Sequence, residues 1–140
     1  EQIVRTTTAL DQEPVESVLD GERIIAFQRL VRQVPIADHL IQYAVRLARA
    51  SRPADEVAPN YVREMVNWGA GPRASQYLAL AAKARAALDG RHAVSQQDID
   101  AVALPVLRHR IVVNFHAEAQ STNADDIARR LLEDIQPDSA

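Results

Sequence analysis

The sequence predicts a mainly α-helical bundle with at most a short strand or hairpin near residues 110–116. Three observations carry that expectation. Only four glycines interrupt the 140 residues, and the good helix formers Ala, Leu, Arg and Gln are abundant. Apolar residues recur at helical spacing from about Glu22 onward. A single β-branched and aromatic run, Arg110-Ile111-Val112-Val113-Asn114-Phe115, departs from that pattern. The length suits one domain, or one domain with a tail, and is enough for a sizeable core.

Residues 1–9 could form a short helix. Residues 10–21 carry Asp11, Glu13, Pro14, Glu16, Asp20 and Gly21 and read as an acidic linker. In the first long helix Ile24, Phe27, Val31 and Val34 fall at i, i+3, i+7 and i+10. That spacing predicts one buried stripe, with Arg23, Arg29 and Arg32 turned away. Pro35 ends this helix and can start the next, where Ile36, Leu40, Ala44, Leu47 and Ala48 share a face. The second helix stops near Ser51-Arg52-Pro53, because the residue before a proline avoids the α region. Pro59 restarts a helix with Tyr61, Val62, Met65 and Val66 inward and Trp68 as a further inward candidate. Gly69 and Gly71 break it.

A long Ala/Leu-rich helix then runs from about Pro72 to Leu88. It is expected to bury Ala74, Tyr77, Leu78, Ala81 and Leu88, and Gly90 ends it at the C′ position. Ser95-Gln96-Gln97-Asp98 has the spacing of a capping box, with Val94 and Ile99 placed as its hydrophobic staple. The helix it opens buries Ile99, Val102 and Val106, and Pro105 bends or ends it. The strand candidate at 110–115 has no identifiable partner. A last helix starts near Asn123, with Asp125 and Asp126 at its positive end and Ile127, Leu131 and Ile135 inward. From Pro137 the tail frays. There are no internal repeats or low-complexity segments.

Composition removes several function classes. The apolar fraction of 47% and charged fraction of 25% are ordinary for a globular protein. The formal net charge of −3 argues against nonspecific binding to nucleic acid or membrane. Cysteine is absent, so disulfides, thiolate metal sites and cysteine catalysis are excluded. No apolar run reaches membrane-spanning length and no signal peptide opens the chain, which makes the cytoplasm the default. The start at Glu1, without Met, suggests trimming. His39, His92, His109 and His116 lack the i, i+4 pairing of a helical zinc site and read as surface or hydrogen-bonded residues. His116-Ala117-Glu118 matches a fragment of a deaminase signature whose cysteines are missing. No metal site is expected. The glycines, at 21, 69, 71 and 90, cannot form a P-loop, which needs two glycines about five positions apart before Lys and Ser/Thr. Ser95 is explained as a cap and Ser121 has no plausible His/Asp partner nearby. No catalytic residue is assigned.

The most informative stretch is Gly69-Ala70-Gly71-Pro72-Arg73-Ala74-Ser75. Gly71 suits the N-cap and Pro72 the first helical position, where a missing N–H costs nothing. Arg73 then projects from the first turn, beside free N–H groups and the positive end of the helix dipole. That end favours acids, so an Arg there points to an anion, plausibly a phosphate. Arg52, at a helix end where a cation is stabilising, and Arg108 and Arg110, flanking the strand candidate, are candidate contacts to a neighbouring domain. Arg108-His109-Arg110 also suits a solvated edge that keeps the strand from pairing with other chains.

Three runs, taken in order, resemble the C-terminal lid of MoxR-family AAA+ ATPases. They are VPIADHLIQYAVRLARA at 34–50 followed by Ser51-Arg52, GAGPRASQYLALAAKARAALDGR at 69–91, and HAVSQQDIDAVALPVLRHRI at 92–111. The resemblance covers about Leu19 to Ile111 well and the last helix more loosely; magnesium- and cobalt-chelatase ATPase subunits have related lids. It implies an AAA+ lid-type helical bundle: a linker from an absent ATPase core at 1–21, the lid at 22–111, and a strand/helix extension and tail at 112–140. It also implies that Arg73 is the sensor-2 arginine, reaching the γ-phosphate of ATP, with Gly71 and Pro72 shaping the helix start. The family often has Ser where this chain has Gly71. ATP and Mg2+ would belong to the full-length protein and neither to this fragment, which would not hydrolyse ATP alone. The implied partners are the core of the same chain, further copies in a hexameric ring, and a von Willebrand A-domain protein. The implied role is chaperone-like remodelling or cofactor insertion. A competing expectation is a helical DNA-binding or protein-docking module with a helix-turn-helix near 59–89, presenting Arg73, Gln76 and Lys83. A third is a purely structural interaction domain.

Overall fold

Asp20 opens the first helix by accepting the Arg23 N–H at 2.7 Å, a side-chain cap for an otherwise orphan donor. The structure, a computed structural model, describes residues 4, 5, 8 and 16–137. Most of the possible helix at 1–9 and half of the acidic linker at 10–21 therefore lie outside the described residues. Within them the order is α1 (Gly21–Gln33), α2 (Asp38–Ala50), α3 (Asn60–Met65), β1 (Val66–Trp68), α4 (Pro72–Leu88), α5 (Gln96–Leu107), β2 (Val112–Val113), α6 (Phe115–Ala119) and α7 (Ala124–Asp134). The fold is mainly helical, as the composition and periodicity predict.

Helix α4 is the central rod. It packs between α2 and α5, and α7 closes the far side of α5. The buried face of α4 is Ala74, Leu78, Ala82 and Ala86, spaced i, i+4, i+8 and i+12. Small side chains at three of those four positions let the neighbouring helices approach closely. Around them Tyr43, Leu47, Ile99, Leu107, Ile127 and Leu131 are fully enclosed, each stabilising the fold by roughly 1.5–3 kcal/mol relative to exposure. Two expected core residues are corrected: Tyr77 is exposed and Leu88 is 88% exposed. Helix α4 is apolar on nearly every side, so periodicity alone could not select its inner face.

The stripe expected on α1 is also corrected. Val31 and Val34 are half-buried, but Ile24 and Phe27 are 45% and 53% exposed. Helix α1 packs against α4, and no residue of it is buried. The spacing is helical, as predicted, but most of this face is not buried in the bundle.

The ends of the elements follow their local chemistry. Gly90 takes φ +69°, and a Schellman closure forms there: the Arg91 N–H reaches the Ala86 carbonyl at 2.8 Å and the Gly90 N–H that of Ala87 at 3.1 Å. Asp98 caps α5 by accepting the Ser95 N–H and hydroxyl at 2.8 Å each. Pro105 does not end α5, which continues to Leu107. The last helix starts where expected, and Asn123 caps it, accepting the Asp125 and Asp126 N–H groups at 2.9 and 3.1 Å. Helix α6 was not anticipated. It ends in the same closure as α4, with Ser121 at φ 57° in place of glycine.

The strand expected at 110–115 shrinks to Val112–Val113, and its partner lies within the chain. It pairs antiparallel with Val66–Trp68, Val66 opposite Val113 and Trp68 opposite Val112, with an irregularity between the two pairs. Asn114 extends the pairing, its N–H and side-chain amide reaching the Met65 and Glu64 carbonyls at 2.9 and 2.7 Å. Here the reading of 66–68 as the end of a helix is overturned. Val66 is buried, but Trp68 is 74% exposed. Residues two apart share a face in a regular strand, and the irregularity between the two pairs is what breaks that pattern here. Among the described residues no helix is long and apolar enough to cross a membrane.

Candidate functional site

Strand β1 delivers the chain into the loop Gly69-Ala70-Gly71, and that loop is seated on the end of α2. A Cβ on Gly69 would stand 2.2 Å from the Ser51 carbonyl oxygen and 2.7 Å from the Arg52 Cα. Only glycine permits this approach. The Ser51 hydroxyl, fully buried, accepts the Ala70 N–H at 2.9 Å and donates to the Ala48 carbonyl at 2.7 Å. Arg52 Nε donates to the Ala70 carbonyl at 2.6 Å. Both polar groups of the Ala70 peptide are thus satisfied by consecutive residues of one neighbouring turn.

From this fixed loop α4 begins. Gly71 is its N-cap with extended backbone, φ −76° and ψ 176°, and Pro72 is at N1. A Cβ on Gly71 would meet nothing within 4 Å, so the Ser common in the resembling family is accommodated there without strain. The first turn of α4 contains no acidic residue. Arg73 is exposed and has no hydrogen bond or ion pair among the described residues. An unneutralised guanidinium stands where the helix already presents positive charge, which is the arrangement that attracts an anion. Beside it Arg52, Pro53, Asn67, Trp68 and the Gly69–Pro72 backbone line a concavity of about 430 Å³.

The other cations expected to reach a neighbouring domain already have partners in this bundle. Arg52 holds Ala70. Arg108 pairs with Asp125 of α7 at 2.8 Å. Arg110 donates to the Val106 carbonyl and lies over the Tyr77 ring, 5.2 Å from its centroid. The helix-turn-helix expected near 59–89 does not form. A strand separates α3 from α4, and α4 is flanked by α2 and α5 instead of being presented. Lys83 donates to the Arg32 carbonyl at 3.2 Å. Among the described residues no group of three His, Asp or Glu side chains converges as a metal site.

A second polar centre escaped the sequence reading. Asp98, seen there only as a cap, is buried and accepts both Nη groups of Arg91, one at 2.7 Å. Arg85 Nε lies 3.4 Å away. The Arg91 pair, aided by the Ser95 bonds, outweighs burial and holds the Asp98 carboxyl well below the usual carboxylate range. This cluster pins the end of α4 to the start of α5. No spacing rule links Arg85, Arg91 and Asp98, which meet only once the turn at Gly90 folds. Ser51 escaped as well, because its partner is 19 residues away.

The family model for the AAA lid domain matches residues 58–131. The chain belongs to the AAA lid domain family. It is 30% identical over 120 residues to the chaperone MoxR1 of Mycobacterium tuberculosis, a match covering 86% of this chain and 32% of that one. It is 31% identical over 135 residues to the protein MoxR of Methylorubrum extorquens, covering 92% of this chain and 39% of that one. A crystal structure of a candidate ATPase from Cytophaga hutchinsonii superposes with a TM-score of 0.86 at 25% identity, over 99% of this chain and 42% of its own. The chain therefore spans about a third of the length of the MoxR relatives it matches, 32% and 39%.

Proposed function

We propose that this lid serves as the sensor-2 element of a longer MoxR-type AAA+ ATPase, with Arg73 as the residue that reads the nucleotide. The observation that carries the reading is Arg73 itself: a guanidinium without an ion-pair partner among the described residues, at the N-terminal turn of a 17-residue helix launched from an anchored loop. The lid family and the MoxR relatives support it. ATP and Mg2+ are held by a core domain of the same protein, joined through residues 1–21, with 22–111 as lid and 112–140 as its extension. Arg73 donates a charge-assisted bond to the γ-phosphate, stabilising the closed lid. Loss of that phosphate on hydrolysis removes the bond and the lid relaxes, a two-state motion biased by ligand. In a hexameric ring in the cytoplasm this motion passes to the adjacent subunit and drives chaperone-like remodelling or cofactor insertion, with a von Willebrand A-domain protein as a partner.

The lid alone does not hydrolyse ATP on this reading. Arg73 and a helix end cannot replace the several N–H donors and the lysine of a P-loop. The lid alone should therefore bind ATP at most feebly, and micromolar binding by calorimetry would contradict that. The central test is Arg73→Ala in the full-length protein. Turnover should fall about a hundredfold to a thousandfold, the range seen when a preorganised charge-stabilising donor is removed. The melting temperature should hold, because the exposed Arg73 side chain makes no hydrogen bond or ion pair among the described residues. Parent-level turnover in the folded variant would remove Arg73 from the mechanism.

A further inference from the structure

We infer that Ser51 is a positioning residue for Arg73, acting through the Gly69–Gly71 loop; the inference rests on the sensor-2 reading of Arg73. Ser51 is the C-cap of α2 and is completely buried. Its single hydroxyl acts in both directions, donating to the Ala48 carbonyl and accepting the Ala70 N–H. It thereby joins the last turn of α2 to a peptide three residues before Arg73. Gly69 is pressed against the Ser51 carbonyl so closely that no side chain fits between them. Arg52 closes the remaining side by holding the Ala70 carbonyl. The first turn of α4 therefore takes its place from α2, and Arg73 from that turn.

A helix cap needs none of this. The Ser51–Ala48 bond alone would close α2, and Gly71 with Pro72 alone would start α4. The added Ser51–Ala70 bond and the glycine contact fix where the start of α4 stands relative to α2. Displacing a charge-donating group by about 1 Å can cost a hundredfold in rate. Ser51→Ala removes both bonds of the hydroxyl without adding bulk. Gly69→Ala disturbs the same contact from the other side, by forcing the loop off Ser51.

The test is a double-mutant cycle on ATP turnover by the full-length protein, with folding checked by thermal melting. Ser51→Ala should lower kcat about tenfold, and Gly69→Ala by a similar or larger factor. In an Arg73→Ala background neither should lower it much further, because a residue acting only through Arg73 has nothing left to position. A merely structural role predicts losses that multiply. Unchanged turnover in folded Ser51→Ala, or multiplying losses in the double variants, overturns the inference and leaves the sensor-2 reading intact. If Arg73→Ala itself turns over ATP at the parent rate, the sensor-2 reading falls and this inference falls with it.

Discussion

Replacing Asp98 by Ala should destabilise the lid by about 3 kcal/mol, a figure assembled from its bonds. The side chain is 1% exposed. Its bonds to the Ser95 N–H and hydroxyl, at 2.8 Å each, are the N-terminal cap of α5 and contribute about 1 kcal/mol. The bonds it accepts from Arg91 are charge-assisted and add about 2 kcal/mol. That value lies below the 3–5 kcal/mol or so for breaking a fully buried pair, because both arginines can reach water once the carboxylate is gone. Asp98→Asn keeps an acceptor for Ser95 and should lose only about 2 kcal/mol. Urea unfolding followed by far-UV circular dichroism measures both. The pH dependence gives the sign. The folded carboxyl titrates below its unfolded value, so its contribution is complete at neutral pH. It begins to disappear as pH falls through about 3.9 and is gone only below the folded value. In Asp98→Asn this acid limb should flatten. A loss under about 1 kcal/mol for Asp98→Ala, the size of an exposed ion pair, would refute the network. So would an acid limb unchanged in Asp98→Asn.

Two further stability predictions concern residues outside the nucleotide-sensing machinery. Ser121, at φ 57°, occupies a conformation that costs a side chain about 1–2 kcal/mol, partly offset in glycine by unfolded-state entropy. Ser121→Gly should therefore raise stability by about 0.5–1 kcal/mol, seen as a higher urea midpoint; a lower midpoint would contradict the assigned backbone. Ile24→Gln with Phe27→Gln should change the stability of this chain by less than about 0.5 kcal/mol, since both residues are half exposed. A loss near 2 kcal/mol would mean that α1 is packed more deeply than its exposure indicates.

The resemblance to a MoxR lid, and with it the role given to Arg73, was readable from residue order, because the Gly-x-x-Pro-Arg element and the Leu-Arg-His-Arg ending are local strings. Helix existence and most helix ends were readable for the same kind of reason. Ser95 with Asp98, Gly90, and Asn123 with the two aspartates act on N–H and carbonyl groups within a few residues of themselves, so their chemistry is complete in the sequence. The inner face of α4 was not readable, because its alanines offer no contrast for periodicity to detect, and only the approach of α2 and α5 chose Ala82 and Ala86 over Ala81. Strand β1 was hidden because a three-residue strand has no period of its own; it exists by pairing with Val112–Val113, more than forty positions on. Helix α1 shows the reverse limit, with a sound period but too little lid surface to cover Ile24 and Phe27. Arg73 was visible as a residue out of place at a helix start, yet nothing in the string showed what holds that start in position. Ser51, Arg52 and Gly69 do so through backbone contacts between segments far apart in sequence, and such contacts leave no local pattern. By itself the sequence determined the long helices, most of their caps and the family they resemble; the tertiary structure alone decided which faces are buried and what anchors Arg73, because both depend on surfaces that exist only after distant segments have met.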